Sequence, residues 1–141
     1  MGFLENLGSG FAVALSPGNL FYCAIGVILG TAIGVLPGLG PPATIALLLP
    51  VTFKIAPLSA VIMLAGIFYG AMYGGSTTSI LLNIPGEAAS VVTCLDGYKM
   101  ARLGRAGPAL GISALGSFIA GTLSVCGISI VAPSLASFAL K

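Results

Sequence analysis

Few residues in this chain can do chemistry. Its 141 residues include no histidine, no tryptophan and only three acids, Glu5, Glu87 and Asp96. Three cysteines, Cys23, Cys94 and Cys126, lie far apart in or beside apolar segments, without metal-site spacing. They read as small buried hydrophobes, not as a disulfide framework. Catalysis needs a base, a nucleophile or a metal set, and none is assembled here, so no enzyme is expected. Gly38-Leu39-Gly40 is not a dinucleotide fingerprint, because no βαβ unit surrounds it.

What remains is binding chemistry, at two places where apolar runs break. One is Pro37-Gly38-Leu39-Gly40-Pro41-Pro42; the other is Gly74-Gly75-Ser76-Thr77-Thr78-Ser79 with Asn83, Pro85 and Gly86 beyond it. A half helix starting at Pro41 and another starting near Ser76 would turn free N–H groups and positive dipole ends toward an anion such as a carboxylate. The four hydroxyls and the Asn83 amide add donors. Unwound carbonyls near Gly38 and Gly74 would offer oxygen to Na⁺ as a coupling ion, the one cofactor expected. The predicted embedded segments hold no carboxyl for a proton relay, which favours sodium. The candidate binding residues are therefore Gly38, Gly40, Gly74, Gly75, Ser76, Thr77, Thr78, Ser79 and Asn83.

Each has a plainer alternative. Membrane serines and threonines often bond the carbonyl one turn back, and Asn83 can be a helix-end cap. Glu87 is most simply a first-turn acid facing a helix dipole. Lys99, Arg102 and Arg105 are most simply headgroup anchors; by the positive-inside rule they place their loop in the cytoplasm. The basic residues are too few to imply nucleic acid.

The elements that must position these residues belong to a membrane protein. The chain is 57% hydrophobic and 6% charged, against about 25% charged in soluble domains. The expected fold class is all-α integral membrane, a bundle of about three to five transmembrane or re-entrant helices broken at Pro/Gly-rich loops. Unpaired backbone in lipid costs several kcal/mol, so such breaks persist only around a protein-lined or watery cavity.

Residues 1–18 read as an interfacial segment and residues 19–141 as the membrane domain. The N-terminus lacks a signal peptide's positive start and cleavage site. Apolar helices are expected from Leu20 to Leu36, from Ala43 to about Leu49, and from Leu58 to Tyr73. Ala88 to Leu95 is apolar enough to complete a descending crossing. Asp96 is placed to cap a short helix. Pro108 to Leu140 forms a long final run that Pro133 ends or kinks. Gly26, Gly30 and Gly34 are echoed by Gly66, Gly70 and Gly74. Each copy reads as a striped helix followed by a break and a half helix, Thr44 to Pro50 in one and Thr78 to Pro85 in the other.

Three runs carry a resemblance: GVLPGLGPPATIALLLPVTF (Gly34 to Phe53), GIFYGAMYGGSTTSILLNIPGEAASVVT (Gly66 to Thr93) and DGYKMARLGRAGPALG (Asp96 to Gly111). The chain from about Asn19 onward resembles the large membrane subunit of the tripartite tricarboxylate transporters. That resemblance implies ion-coupled uptake of tricarboxylates or other carboxylates across a bacterial inner membrane. It implies two partners, a small membrane subunit and a periplasmic solute-binding protein. It also implies that this chain is the N-terminal quarter to third of a longer subunit. The competing readings are a small non-transporting membrane scaffold or assembly protein, whose glycines only pack helices, and an inert truncated product.

Overall fold

The computed structural model describes residues 3–139, with side chains described from residue 5 to residue 132 apart from residue 6. The described residues form six α-helices and no strand: α1 Phe3–Ala14, α2 Pro17–Gly34, α3 Pro41–Leu48, α4 Pro57–Leu82, α5 Val91–Arg102 and α6 Ala106–Ala139. A 3₁₀ segment, Leu49–Lys54, prolongs α3, and a short one, Ala88–Ser90, precedes α5. Pro17, Pro41 and Pro57 open α2, α3 and α4, where a missing N–H costs nothing and a fixed φ favours the helix. Three helices, over Pro17–Gly34, Pro57–Leu82 and Ala106–Ala132, are long and apolar enough to cross a membrane.

The core is the seam between α2 and α4. A Cβ on Gly26, Gly30 or Gly34 would collide with the backbone of Met63, Ile67 or Ala71. In return, Gly66, Gly70 and Gly74 lie on the backbone of Cys23, Val27 and Thr31. Both sets climb together, so the two helices run parallel. Small residues are what permit so close an approach. At the lower end the Ser59 hydroxyl donates to Asn19 Oδ1 (2.6 Å), and the Asn19 amide donates to the Val13 carbonyl (2.8 Å).

Parallel neighbours require a return path. α3 and the 3₁₀ segment after it supply about 24 Å of it, close to the roughly 27 Å from Gly75 back to Pro57 along α4. The chain from Asn19 to Phe53 therefore traverses the bundle twice, a question the sequence leaves open.

Four expectations need correction. No break occurs at Ser76, since α4 continues to Leu82. The second glycine stripe is thus not followed by a half helix, and the repeat that holds is simpler. Pro17 and Pro57, Asn19 and Ser59, and the three glycine pairs all stand at one constant offset and pack level with each other.

Ala88 to Leu95 does not complete a crossing. After Asn83 the chain doubles back until Gly86 lies on Gly75, roughly 10 Å short of the end of α4. It then turns again, and Gly97 packs on Ile80. The segment from Asn83 to Arg105 is a re-entrant excursion. α6 then descends beside α4, with Gly121 reaching the Tyr69 ring. Asp96 lies within α5 and caps nothing. Of the two roles expected for Pro133, ending the run or kinking it, the first does not occur, since α6 runs on to Ala139.

Candidate functional site

Two genuine interruptions of the helical chain meet in space. The first runs from Val35 to Gly40. Gly38 adopts φ +84°, a left-handed conformation that favours glycine, and Gly40 is the extended N-cap of α3. Thr44, fully buried, holds this loop: its hydroxyl lies 3.2 Å from the Gly40 carbonyl and 3.4 Å from that of Leu39. The second interruption runs from Asn83 to Glu87. Asn83 ends α4 with φ 59° and is exposed, the left-handed C-cap geometry that asparagine tolerates. Ser90, buried, closes the far side: its hydroxyl accepts from the Glu87 N–H (3.2 Å) and donates to the Glu87 carbonyl (2.9 Å).

The loops touch through glycines. Gly86 is wedged onto Gly75, with the Gly34 carbonyl beside both. A Cβ on Gly40 would lie 3.5 Å from the Glu87 Cβ. The end of α2, the start of α3, the middle of α4 and the re-entrant turn thus converge on one point. Glu87 brings the one carboxyl there. It sits in the loop between the second and third spans, and burial pushes its pKa above the usual carboxylate range.

The predicted site residues fare unequally. Gly40 and Gly75 are at the convergence, and Gly74 is one residue away in the α2–α4 seam. Gly38 is in the first loop but exposed. The hydroxyls follow the plainer alternative: Thr77 donates to the Tyr73 carbonyl (2.8 Å), Thr78 to that of Gly75 (2.9 Å) and Ser79 also to that of Gly75 (2.8 Å). Thr78 and Ser79 are buried, whereas Ser76 and Thr77 are half-buried and keep oxygen lone pairs open. The free N–H groups expected near Ser76 do not exist, because those residues are mid-helix.

α3 is also a poorer anion cradle than expected. Pro41 and Pro42 have no N–H and the Thr44 N–H is bonded to the Gly40 carbonyl, so Ala43 holds the one free donor of that turn. The carbonyls of Leu39, Gly40 and Gly75 each accept a hydroxyl, which spends a lone pair of each. Among the described residues no cluster of His, Cys, Asp and Glu suits a metal ion.

Sequence reasoning missed Thr44, Ser90 and Gly34 as parts of this place. The signal for Thr44 was a lone hydroxyl four residues after Gly40. Gly86 was placed in the second break, but nothing local tells that a glycine after proline will be pressed against a helix.

Fold and composition define an all-α integral membrane protein. Residues 20–141 match the profile of the Tripartite tricarboxylate transporter TctA family, and the chain belongs to that family. It is also 59% identical, over all 141 of its residues, to a protein of Agrobacterium vitis described as an uncharacterized 52.8 kDa protein in the TAR-I ttuC′ 3′ region. The chain spans 28% of the length of that relative. No solved structure matches it.

Proposed function

We propose that this chain is the N-terminal part of the membrane subunit of an ion-coupled, binding-protein-dependent carboxylate transporter of a bacterial inner membrane. Its contribution to the substrate path is the convergence of the two breaks. The observation that carries this reading is the contact of Gly40 with Glu87 across loops far apart in sequence. Paired interruptions lining one cavity are how many transporters build a site within the bilayer, and lipid alone would not tolerate them. The Ser76 hydroxyl and the Ala43 N–H are the donors left for a carboxylate, since the Thr77 hydroxyl already donates to the Tyr73 carbonyl.

The partners are a small membrane subunit and a periplasmic solute-binding protein, in keeping with a tripartite family. The basic residues Lys99, Arg102 and Arg105 put the re-entrant side in the cytoplasm.

The test is uptake of labelled citrate and related carboxylates by membrane vesicles containing the full-length subunit and its partners. Gly75→Val, which drives a branched side chain into Gly86, abolishes uptake while membrane insertion is retained. Unchanged uptake would sink the site and leave a scaffold whose glycines only pack helices.

A further inference from the structure

The hydroxyls of α6 fall into two classes according to the side of the helix they occupy. Thr122 and Ser129 donate to the carbonyls of Phe118 and Val125, four residues back (2.7 and 2.8 Å), as membrane hydroxyls commonly do. The hydroxyls of Ser113, Ser117 and Ser124 make no hydrogen bond among the described residues. At about 100° per residue, these three lie within about 40° of one another, and Thr122 and Ser129 lie on the far side.

The unbonded side faces α4. A Cβ on Gly121 would lie 3.6 Å from the Tyr69 ring and 3.7 Å from its hydroxyl. Eight residues earlier, Ser113 shares a hollow of about 280 Å³ with Ile80, Thr93, Asp96 and Ala109. Because α4 and α6 run in opposite directions, these two contacts put Ser117 level with Tyr73, midway between them. Tyr69, Tyr73 and Ser76 follow one another by four and three residues on one face of α4, and their hydroxyls are unbonded too.

No side-chain hydrogen bond joins α4 to α6 among the described residues. Both rows are open to the space between them: Tyr69 and Tyr73 are 50% and 38% exposed, Ser117 and Ser124 are exposed, and Ser76 and Ser113 are half-buried. A hydroxyl left without a partner in lipid is costly. Lipid also gives no reason for one side of α6 to be tied back and the other left open. A polar occupant between the helices gives that reason.

We propose that the α4–α6 cleft is a stretch of the carboxylate path, with Tyr69, Tyr73 and Ser76 on one wall and Ser113, Ser117 and Ser124 on the other. Successive hydroxyls stand about 4–6 Å apart along α4, close enough for a carboxylate to pass from one to the next. Neutral donors suit an anion in transit, because a path must bind weakly and at several places to let its cargo leave. The hollow at Ser113 is the mouth on the re-entrant side. Asp96 stands on its rim, and Lys99 and Arg102 further along α5 leave that rim net positive. Ser76, beside Gly75, joins the cleft to the convergence of the two breaks. The proposal rests on the transport reading above and adds a second wall to it.

The experiment uses the full-length subunit with its partners in vesicles, its native cysteines replaced by serine. Ser113→Cys, Ser117→Cys and Phe118→Cys are each treated with a charged methanethiosulfonate, with and without citrate. Phe118 is 72% exposed on another side of α6. Ser113→Cys and Ser117→Cys are expected to react about tenfold faster than Phe118→Cys or more, since apolar surroundings suppress the reactive thiolate. Citrate slows both. Tyr73→Phe, which removes the hydroxyl alone, raises the citrate concentration for half-maximal uptake about tenfold, the scale of one hydrogen bond to a charged group.

Reaction of Ser113→Cys and Ser117→Cys no faster than that of Phe118→Cys overturns the proposal, since lipid or another helix then covers this side. Rapid reaction that citrate leaves unchanged, together with unaltered half-saturation in Tyr73→Phe, also overturns it, since the cleft is then wet but carries no substrate. A wild-type protein that takes up neither citrate nor related carboxylates instead defeats the transport reading itself, whatever the thiol rates show.

Discussion

Gly74→Ala is the sharpest probe of the seam that holds the two breaks together. An added Cβ would lie 2.6 Å from the Thr31 carbonyl oxygen and 2.8 Å from both the Gly34 carbonyl carbon and the Val35 nitrogen. The first is about 0.8 Å short of the 3.4 Å at which ordinary contact begins. All three atoms are backbone, so no rotamer change relieves the clash and α2 must move away from α4. A gap of that size forfeits a quarter to a half of the dispersion energy of each facing atom pair. Overpacking of this kind costs about 1–3 kcal/mol.

Alanine also gains up to about 1 kcal/mol of helix propensity over glycine, so the comparison must cancel that gain. Gly111→Ala in α6 does so, because nothing lies within 4 Å of its added Cβ. The assay is thermal unfolding in detergent micelles, read as the fraction that stays monodisperse. At about 4 °C per kcal/mol for a chain of this size, Gly74→Ala melts about 4–12 °C below Gly111→Ala. Equal melting temperatures would refute the parallel glycine seam.

Other outcomes follow from the same geometry. Thr44→Val keeps the shape but removes the hydroxyl that holds the Leu39 and Gly40 carbonyls; it destabilises by about 1–2 kcal/mol and lowers citrate uptake, checked by melting and vesicle assay together. Ser79→Ala, by contrast, loses a bond internal to α4 and leaves uptake near wild type, and a tenfold loss would return that hydroxyl to the site. Asn19→Leu cuts the link to Ser59 and Val13 at the lower end of the seam and costs about 1–3 kcal/mol, read as a lower melting temperature.

The raised pKa of Glu87 makes its stabilising contribution complete below the ordinary value of 4.5 and lost as pH rises through the raised value. Glu87→Gln therefore gains stability relative to wild type as pH rises from 4 toward 8, measured as melting temperature against pH.

Much of this architecture was legible in the residues, because its cues are local. Proline at the first helical position announces α2, α3 and α4, and the glycine stripes announce close helix contact. Pro37 to Pro42 cannot be continuous helix in any context. The misreading at Ser76 to Ser79 has a physical cause. A cluster of hydroxyls looks like a polar break, but those of Thr77, Thr78 and Ser79 are satisfied by the carbonyl three or four residues back, and then the helix need not stop.

The true second break, at Asn83 to Glu87, was visible, but its depth was not. Where Gly86 lands depends on Gly75 and Gly34, residues remote from it in sequence. The parallel course of α2 and α4 was likewise hidden. The constant offset between their prolines, polar pairs and glycines stands in the sequence, yet its meaning appears only when the two helices pack level.

The central claim is that the two breaks meet, and a disulfide tests it most directly. The Cβ positions of residues 40 and 87 are 3.5 Å apart, within the roughly 3.5–4.5 Å that a disulfide spans. With Cys23, Cys94 and Cys126 replaced by serine, Gly40→Cys with Glu87→Cys is oxidised in native membranes, and cross-linking is read after cleavage of the chain between the two positions. Rapid, near-complete joining of the two fragments is the predicted result. Fragments that separate without reductant would contradict the account, since the loops would then not face each other in the membrane.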